Sequence, residues 1–289
     1  QDCINHAGIN GRIEVPPGTY DEDINLYVAG LTVIGTGEPG TVVIPATGSV
    51  RFNSSDVTVE NFTINGGFAD ADSRVIIAEN NATMKNCVIT SNSQACGIQV
   101  FNISTGISIQ NCTIHTGPIT GISIEAGSTA EISGNEFFVE TGGTAITSAG
   151  NLLVQENTFN GNDNTGIVIT NGITELKNNL LVNFNTAIAL QGNSVINATQ
   201  NTIDGCGSAT GTPGITAGST GTSTFINNTI QNSNPSSYAF SVSSGTIIAN
   251  FNNLINNPKN VMRQNGNANF KLNWWGNKEG SQEGSINGV

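Results

Sequence analysis

Along the chain one phrase recurs: an apolar residue, four mostly polar residues, then a large apolar residue. The second apolar position falls at Ile64, Ile89, Ile114, Phe137, Phe159, Leu181, Ile203, Ile230, Ile255 and Trp275. Successive steps are 25, 25, 23, 22, 22, 22, 27, 25 and 20 residues. A self-similar period of this length held over most of a chain is the mark of a repeat architecture.

Two residues before each of these positions stand Phe62, Cys87, Cys112, Asn135, Asn157, Asn179, Asn201, Asn228, Asn253 and Asn273. Strand side chains alternate between faces, so this position points the same inward way as the apolar residue that follows it. Seven asparagines at one inward site predict a stack in which side-chain amides hydrogen-bond from coil to coil at the strand spacing of ~4.8 Å. A second strand follows the phrase, as in Gly121-Ile122-Ser123-Ile124 and Gly166-Ile167-Val168-Ile169, and a third precedes it, as in Ile107–Ile109 and Ile173–Leu176. Gly, Asn and Ser separate them.

Three short alternating strands per repeat describe one coil of a solenoid. The hexapeptide rhythm of a left-handed β-helix and the fixed leucines of leucine-rich repeats are both missing. The expected fold is therefore all-β, a right-handed parallel β-helix of about 10–11 coils with an internal Asn stack and capped ends. One domain over 1–289 is expected: a cap and first coils over 1–56, regular coils over 57–272, and a C-terminal cap or tail over 273–289. Capping predicts a short helix within Gln1–Gly8, and Trp274 and Trp275 plugging the other end of the core.

Composition agrees with strands and turns: Gly is 35 residues and charged residues are only 10%. Nine Lys+Arg against 21 Asp+Glu leave a net charge of −12, which argues against nucleic acid and anionic membrane surfaces as partners. No apolar run is long enough to span a bilayer, and Gln1 opens the chain without a signal peptide, as in a processed secreted fragment. Seven sequons, at Asn53, Asn61, Asn81, Asn102, Asn111, Asn197 and Asn227, make covalent glycans an expected partner and an extracellular, cell-surface location the expected one.

Five cysteines leave an odd thiol. Cys87 and Cys112 stack on adjacent coils, near enough for a disulfide or a buried thiol pair. Cys96 and Cys206 are four coils apart and are candidate interchain thiols if exposed.

Val15-Pro16-Pro17-Gly18-Thr19-Tyr20, the Asn-x-Thr-Ile phrases at Asn111 and Asn227, and the closing Asn273-Trp274-Trp275-Gly276 resemble the exported parallel β-helix repeat proteins. These are abundant as surface proteins of methanogenic archaea and related to periplasmic proteins of copper-enzyme maturation. The resemblance implies a surface-layer, sheath or adhesin-like member, whereas His6, His115, Met84, Met262 and the cysteines form no metal motif.

Other parallel β-helices are polysaccharide lyases, glycosidases and pectin esterases. Gly18-Thr19-Tyr20-Asp21-Glu22-Asp23 resembles the opening of pectin methylesterases, but the later Asp and Arg motifs are missing. Glu131 and Glu175, two coils apart, are marginal as an inverting pair. Asp70, Asp72 and Asn162-Asp163-Asn164 leave room for a structural calcium ion and no other cofactor. Glu60 and Lys85 are placed to pair. The expectation is a non-enzymatic, self-assembling structural protein of the cell surface with no catalytic or metal residues. A glycan-binding adhesin or receptor-binding fibre is the first alternative and a divergent polysaccharide lyase or glycoside hydrolase the second.

Overall fold

The computed structural model describes residues 1–38, 40–45, 48–65, 74–91, 96–276 and 286–287. Its strands form three parallel sheets of 12, 11 and 12 strands, a parallel β-solenoid with, among the described residues, one helix of four residues, Asp2–Asn5. Contacts divide the chain into two compact units, Gln1–Ile146 and Thr147–Val289.

A coil of the first unit runs through Ile107–Gln110 on the first sheet, Thr113–Thr116 on the second and Thr120–Ile124 on the third. Ile107, Ile109, Ile114, Ile122 and Ile124 all point inward and are almost fully buried. A coil of the second unit repeats the plan with Ile173–Lys177, Leu180–Val182 and Thr186–Leu190. Register is strict: Ile89 pairs with Ile114, and Leu181 with Ile203. Identical faces therefore stack on identical faces, and a slip of one residue would turn every apolar side chain outward.

The corner between the first and second sheets is a single residue in the left-handed region. In the first unit it is Asn61, Asn86, Asn111 and Gly134, and in the second Glu156, Asn178, Gln200, Asn227, Phe251 and Leu272, all with φ between 50° and 65°. Asparagine and glycine tolerate this conformation best, which explains the recurring Asn before the inward position. Close coil contact also fixes Gly97, where an added Cβ would lie 2.8 Å from the carbonyl oxygen of Gly121.

The residue after each corner points inward. In the second unit Asn157, Asn179, Asn201, Asn228 and Asn252 form the predicted stack, each 1–2% exposed. Their Nδ2 groups donate to the next Oδ1 at 2.9–3.1 Å, ending on Asn273. The same Oδ1 atoms accept the preceding coil's backbone N–H. The stack thus satisfies backbone groups that a one-residue turn would leave unpaired inside the core.

The member expected at Asn253 is a correction. Asn253 is exposed and pairs with Thr229, while Asn252 holds the inward place and Leu254, not Ile255, fills the core. Phe251 occupies the corner where Asn normally stands, so the pair Asn252-Asn253 reads one residue late in the sequence.

The ends also differ from expectation in part. A short helix does stand within Gln1–Gly8, and its Ile4 is buried, lining a cavity of about 360 Å³ with Ile24, Val33, Ile44 and Phe62. At the other end Trp274 is 49% exposed and does not plug the core. Phe270, 6% exposed, packs edge-on against Phe240 at 4.9 Å, and Phe240 against Phe225 at 5.3 Å. These inward rings fill the second unit's core near its last coil, while Trp275, opposite the inward Leu254, is half-buried.

Candidate functional site

The outer face of the third sheet in the first unit carries polar side chains on most of its successive coils. In consecutive coils its outward column reads Asn25, Arg51, Ile76, Gln99 and Ser123. Ile76 is buried, 8% exposed, while Asn25, Arg51, Gln99 and Ser123 are half-buried. Beside it, just past the strands, runs a second column of Tyr27, Asn53, Ala78, Phe101 and Glu125, set by backbone bonds from Asn53 to Leu26, Ala78 to Phe52, Phe101 to Ile77 and Glu125 to Val100.

Hydrogen bonds tie the two columns together. Gln99 Nε2 donates to Glu125 Oε1 at 3.3 Å, and Asn53 Nδ2 donates to Asn25 Oδ1 at 3.4 Å. Tyr27 is 62% and Ile103 69% exposed, framing the corner with apolar surface on which a sugar ring can rest. Ile103 follows Asn102, both with φ 59°, a strained pair of left-handed residues that holds this loop outward.

Two carboxylates border this face. Glu79, half-buried, lies one residue past Ala78, and Glu125, exposed, lies two coils further on. Coil and residue spacings put their Cα atoms about 10 Å apart, near the upper end of the ~6.5–9.5 Å carboxyl separation of an inverting glycosidase pair. Sequence reading missed them because they sit on corners, outside the strand alternation used to align coils.

The carboxylates singled out in the sequence are placed otherwise. Glu131 stands on the strand Thr129–Ser133 in register with Ser108, and Glu175 is engaged by Lys177 within its own coil. Glu60 pairs with Lys85 at 3.1 Å and also accepts from Asn86 Nδ2. Asp70 and Asp72 lie outside the described residues. Asn164 Nδ2 donates to the carbonyls of Gly161 and Asn162, so that turn is closed by its own backbone. Among the described residues no three His, Cys, Asp or Glu side chains converge on a metal position.

The sequons have a structural origin. Asn61, Asn111 and Asn227 are left-handed corners, the residues after them are the inward Phe62, Cys112 and Asn228, and Thr63, Thr113 and Thr229 are outward strand residues. The coil itself therefore writes Asn-x-Thr. Asn61 Nδ2 donates to Gly35 O at 2.7 Å and Asn81 Nδ2 to Asp56 Oδ1 at 2.9 Å. Asn53 is bonded as above, Asn197 Oδ1 accepts from Thr224, and Asn102 is exposed on its loop.

The thiols divide. Cys87 and Cys112 are buried neighbours in the inward column, and Cys96 is half-buried. Cys206 is 3% exposed, which removes it as an interchain thiol. Burial pushes its pKa up from 9.0 to about 12.

Several solved structures share this fold. The catalytic unit of an α-1,3-glucanase from Streptomyces thermodiastaticus aligns over 94% of this chain and 66% of its own, with 14% identity and a TM-score of 0.65. An exopolygalacturonase from Thermotoga maritima aligns over 90% of this chain and 84% of its own, at 13% identity and a TM-score of 0.64. An alginate lyase from Paenibacillus aligns over 95% of both chains, at 14% identity and a TM-score of 0.60. This chain thus spans just under two thirds of the glucanase chain, and at such identities the likeness is one of fold. No curated protein matches the sequence.

These structures correct the expectation that the chain is not an enzyme, since a glucanase, a polygalacturonase and an alginate lyase share its fold along nearly its whole length. They lend no closeness to archaeal sheath or surface-layer proteins. The model of the right-handed β-helix region matches residues 47–203 and 120–274, and the chain belongs to that family.

Proposed function

We propose that this chain is a secreted carbohydrate-active protein that lays a polysaccharide along the outer face of the third sheet in its first unit and cleaves it there. The observation that carries this reading is the bonded double column: Asn25, Arg51, Gln99 and Ser123 beside Asn53 and Glu125, on the flat face of successive coils. Coil spacing of ~4.8 Å is close to the length of a sugar residue, so amides and hydroxyls repeated at that interval suit a polymer running along the axis. Fold likeness to a glucanase, an exopolygalacturonase and an alginate lyase adds support.

In this reading Glu125, oriented by the Gln99 amide, takes the proton of the attacking water. Glu79, two coils away along the same edge of the face, gives a proton to the leaving oxygen, so that one glycosidic bond breaks while one bond to water forms. Arg51 is the binding residue for an acidic substituent or a ring oxygen.

The test is a panel of neutral and uronate polysaccharides assayed for reducing ends and for unsaturated products, with binding measured in parallel. Hydrolysis is expected, with Glu125→Gln and Glu79→Gln each losing about 100-fold or more in kcat at unchanged circular dichroism. Binding without cleavage would turn the reading to a glycan-binding adhesin. No binding at all, or full activity in both variants, would overturn it.

A further inference from the structure

The inward column that carries asparagines in the second unit carries thiols in the first, and those thiols copy the asparagine contacts. Asn179, Asn201, Asn228 and Asn252 each donate to the carbonyl two residues before and to a carbonyl one coil back, as Asn179 does to Lys177 O and Val154 O, both at 2.9 Å. Cys87 Sγ lies 3.2 Å from Lys85 O, and Cys112 Sγ lies 3.2 Å from Gln110 O and 3.9 Å from Met84 O one coil back. The two cysteines are therefore one step apart in the same ladder, in the same orientation.

Their backbones are locked in register. Val88 pairs with Thr113, and the Thr113 N–H donates to Cys87 O at 2.9 Å. Parallel neighbours at this spacing have Cα atoms about 4.8 Å apart, inside the 4.4–6.8 Å span that a disulfide accepts. Both side chains are 1% exposed. On one side the pair borders a groove of about 490 Å³, which Cys87 lines together with Asn61, Asn86, Asn111, Val88 and Thr113.

We infer that Cys87 and Cys112 are a redox staple, a dithiol that a low-molecular-weight disulfide entering by this groove converts to a Cys87–Cys112 disulfide joining adjacent coils. The chemistry is two exchanges. The Cys112 thiolate attacks one sulfur of the small disulfide R–S–S–R, forming a mixed disulfide and expelling R–S⁻. The Cys87 thiolate then attacks the Cys112 sulfur, expelling the second R–S⁻, and the two protons lost from the cysteines end on the two R–SH products. One protein dithiol is oxidised and one small disulfide reduced.

The order of attack follows from the pair itself. A hydrogen bond from the Cys87 thiol holds Cys112 below its ordinary range, while burial holds Cys87 well above it. Cys112 is the group that loses its proton first, and Cys87 the one that resolves. Cys206, buried just past the strand Thr202–Asp204 in a coil whose stack site is Asn201, has no such partner thiol among the described residues.

The test uses the full chain with oxidised glutathione as the probe, added both to native protein and during refolding from urea. Thiol titration in denaturant is expected to fall from five to three in at least one of these conditions, with peptide mass mapping showing a Cys87–Cys112 cross-link. The thermal midpoint should rise by about 5 °C, be reversed by dithiothreitol, and be absent in Cys87→Ala/Cys112→Ala. Five remaining thiols in both conditions, stable glutathione adducts on either cysteine, or a cross-link to Cys3, Cys96 or Cys206 instead would each overturn the inference. The wild-type mass map decides the matter even if the double variant fails to fold.

Discussion

Removing one amide from the stack gives the sharpest check on how the second unit is held. Asn201 Nδ2 donates to Leu176 O at 2.8 Å, Thr199 O at 3.1 Å and Asn228 Oδ1 at 2.9 Å. Its Oδ1 accepts both Asn179 N and Asn179 Nδ2 at 2.9 Å. In Asn201→Ala all five contacts go. Asn179 Nδ2 keeps Val154 O and Lys177 O, but the buried Asn179 N–H is stripped of its acceptor and Leu176 O of a donor. At about 1–3 kcal/mol for each buried group left unsatisfied, plus a small void, the loss should be roughly 3–5 kcal/mol.

Asn201→Asp has the same shape and the opposite polarity, since its carboxylate would face three acceptor oxygens where Nδ2 now donates. It should be worse than alanine at pH 7. The folded protein would raise this carboxyl's pKa, so the variant's stability is highest below the unfolded value of about 3.9 and falls as pH rises through the folded one. Urea unfolding followed by circular dichroism and by tryptophan fluorescence measures both effects. A loss under about 1 kcal/mol for alanine, or aspartate no worse than alanine at pH 7, would refute the role given to the stack.

Two further changes address strain and titration in the second unit. Phe251 is a left-handed corner with φ 60° and 58% exposure, where the preceding coil has Asn227. Phe251→Asn should therefore raise stability by about 1 kcal/mol in urea unfolding, and a loss would show that the ring makes contacts worth more than the strain. Cys206, with its pKa raised from 9.0 to about 12, contributes stability that is complete below pH 9 and drains away as pH climbs towards 12. In Cys206→Ala that part of the decline should vanish, as read from thermal midpoints of the two proteins across the range, and parallel curves would contradict the burial argument.

How much could be read beforehand follows from what each residue answers to. Inward positions such as Ile114, Phe159 and Ile203 answer to the core, repeat with the coil, and declare themselves in the sequence. So did the asparagine stack, up to the point where Phe251 took a corner normally held by Asn and the reading slipped from Asn252 to Asn253. The Glu60–Lys85 pair was visible for the same reason, since both lie on aligned strands. The C-terminal closure was not, because whether Phe270 or Trp274 turns inward depends on the last coil's register and not on side-chain size.

Function was harder to read because a solenoid separates the two tasks. Gly97, Asn111 and Asn201 are fixed by φ, close approach or buried hydrogen bonds, and even sequons arise from these needs. The outward column Asn25, Arg51, Ile76, Gln99, Ser123 repeats no residue type from coil to coil, so it has no period to find. Glu79 and Glu125 lie on corners, where loop length varies and alignment by strand fails. Their closeness exists only after winding, when residues 46 positions apart in the sequence come to lie two coils apart on one face. In such a protein the polar residues that packing leaves unexplained are the ones to examine for chemistry, and the third sheet of the first unit carries one such set in Asn25, Gln99, Ser123 and Glu125.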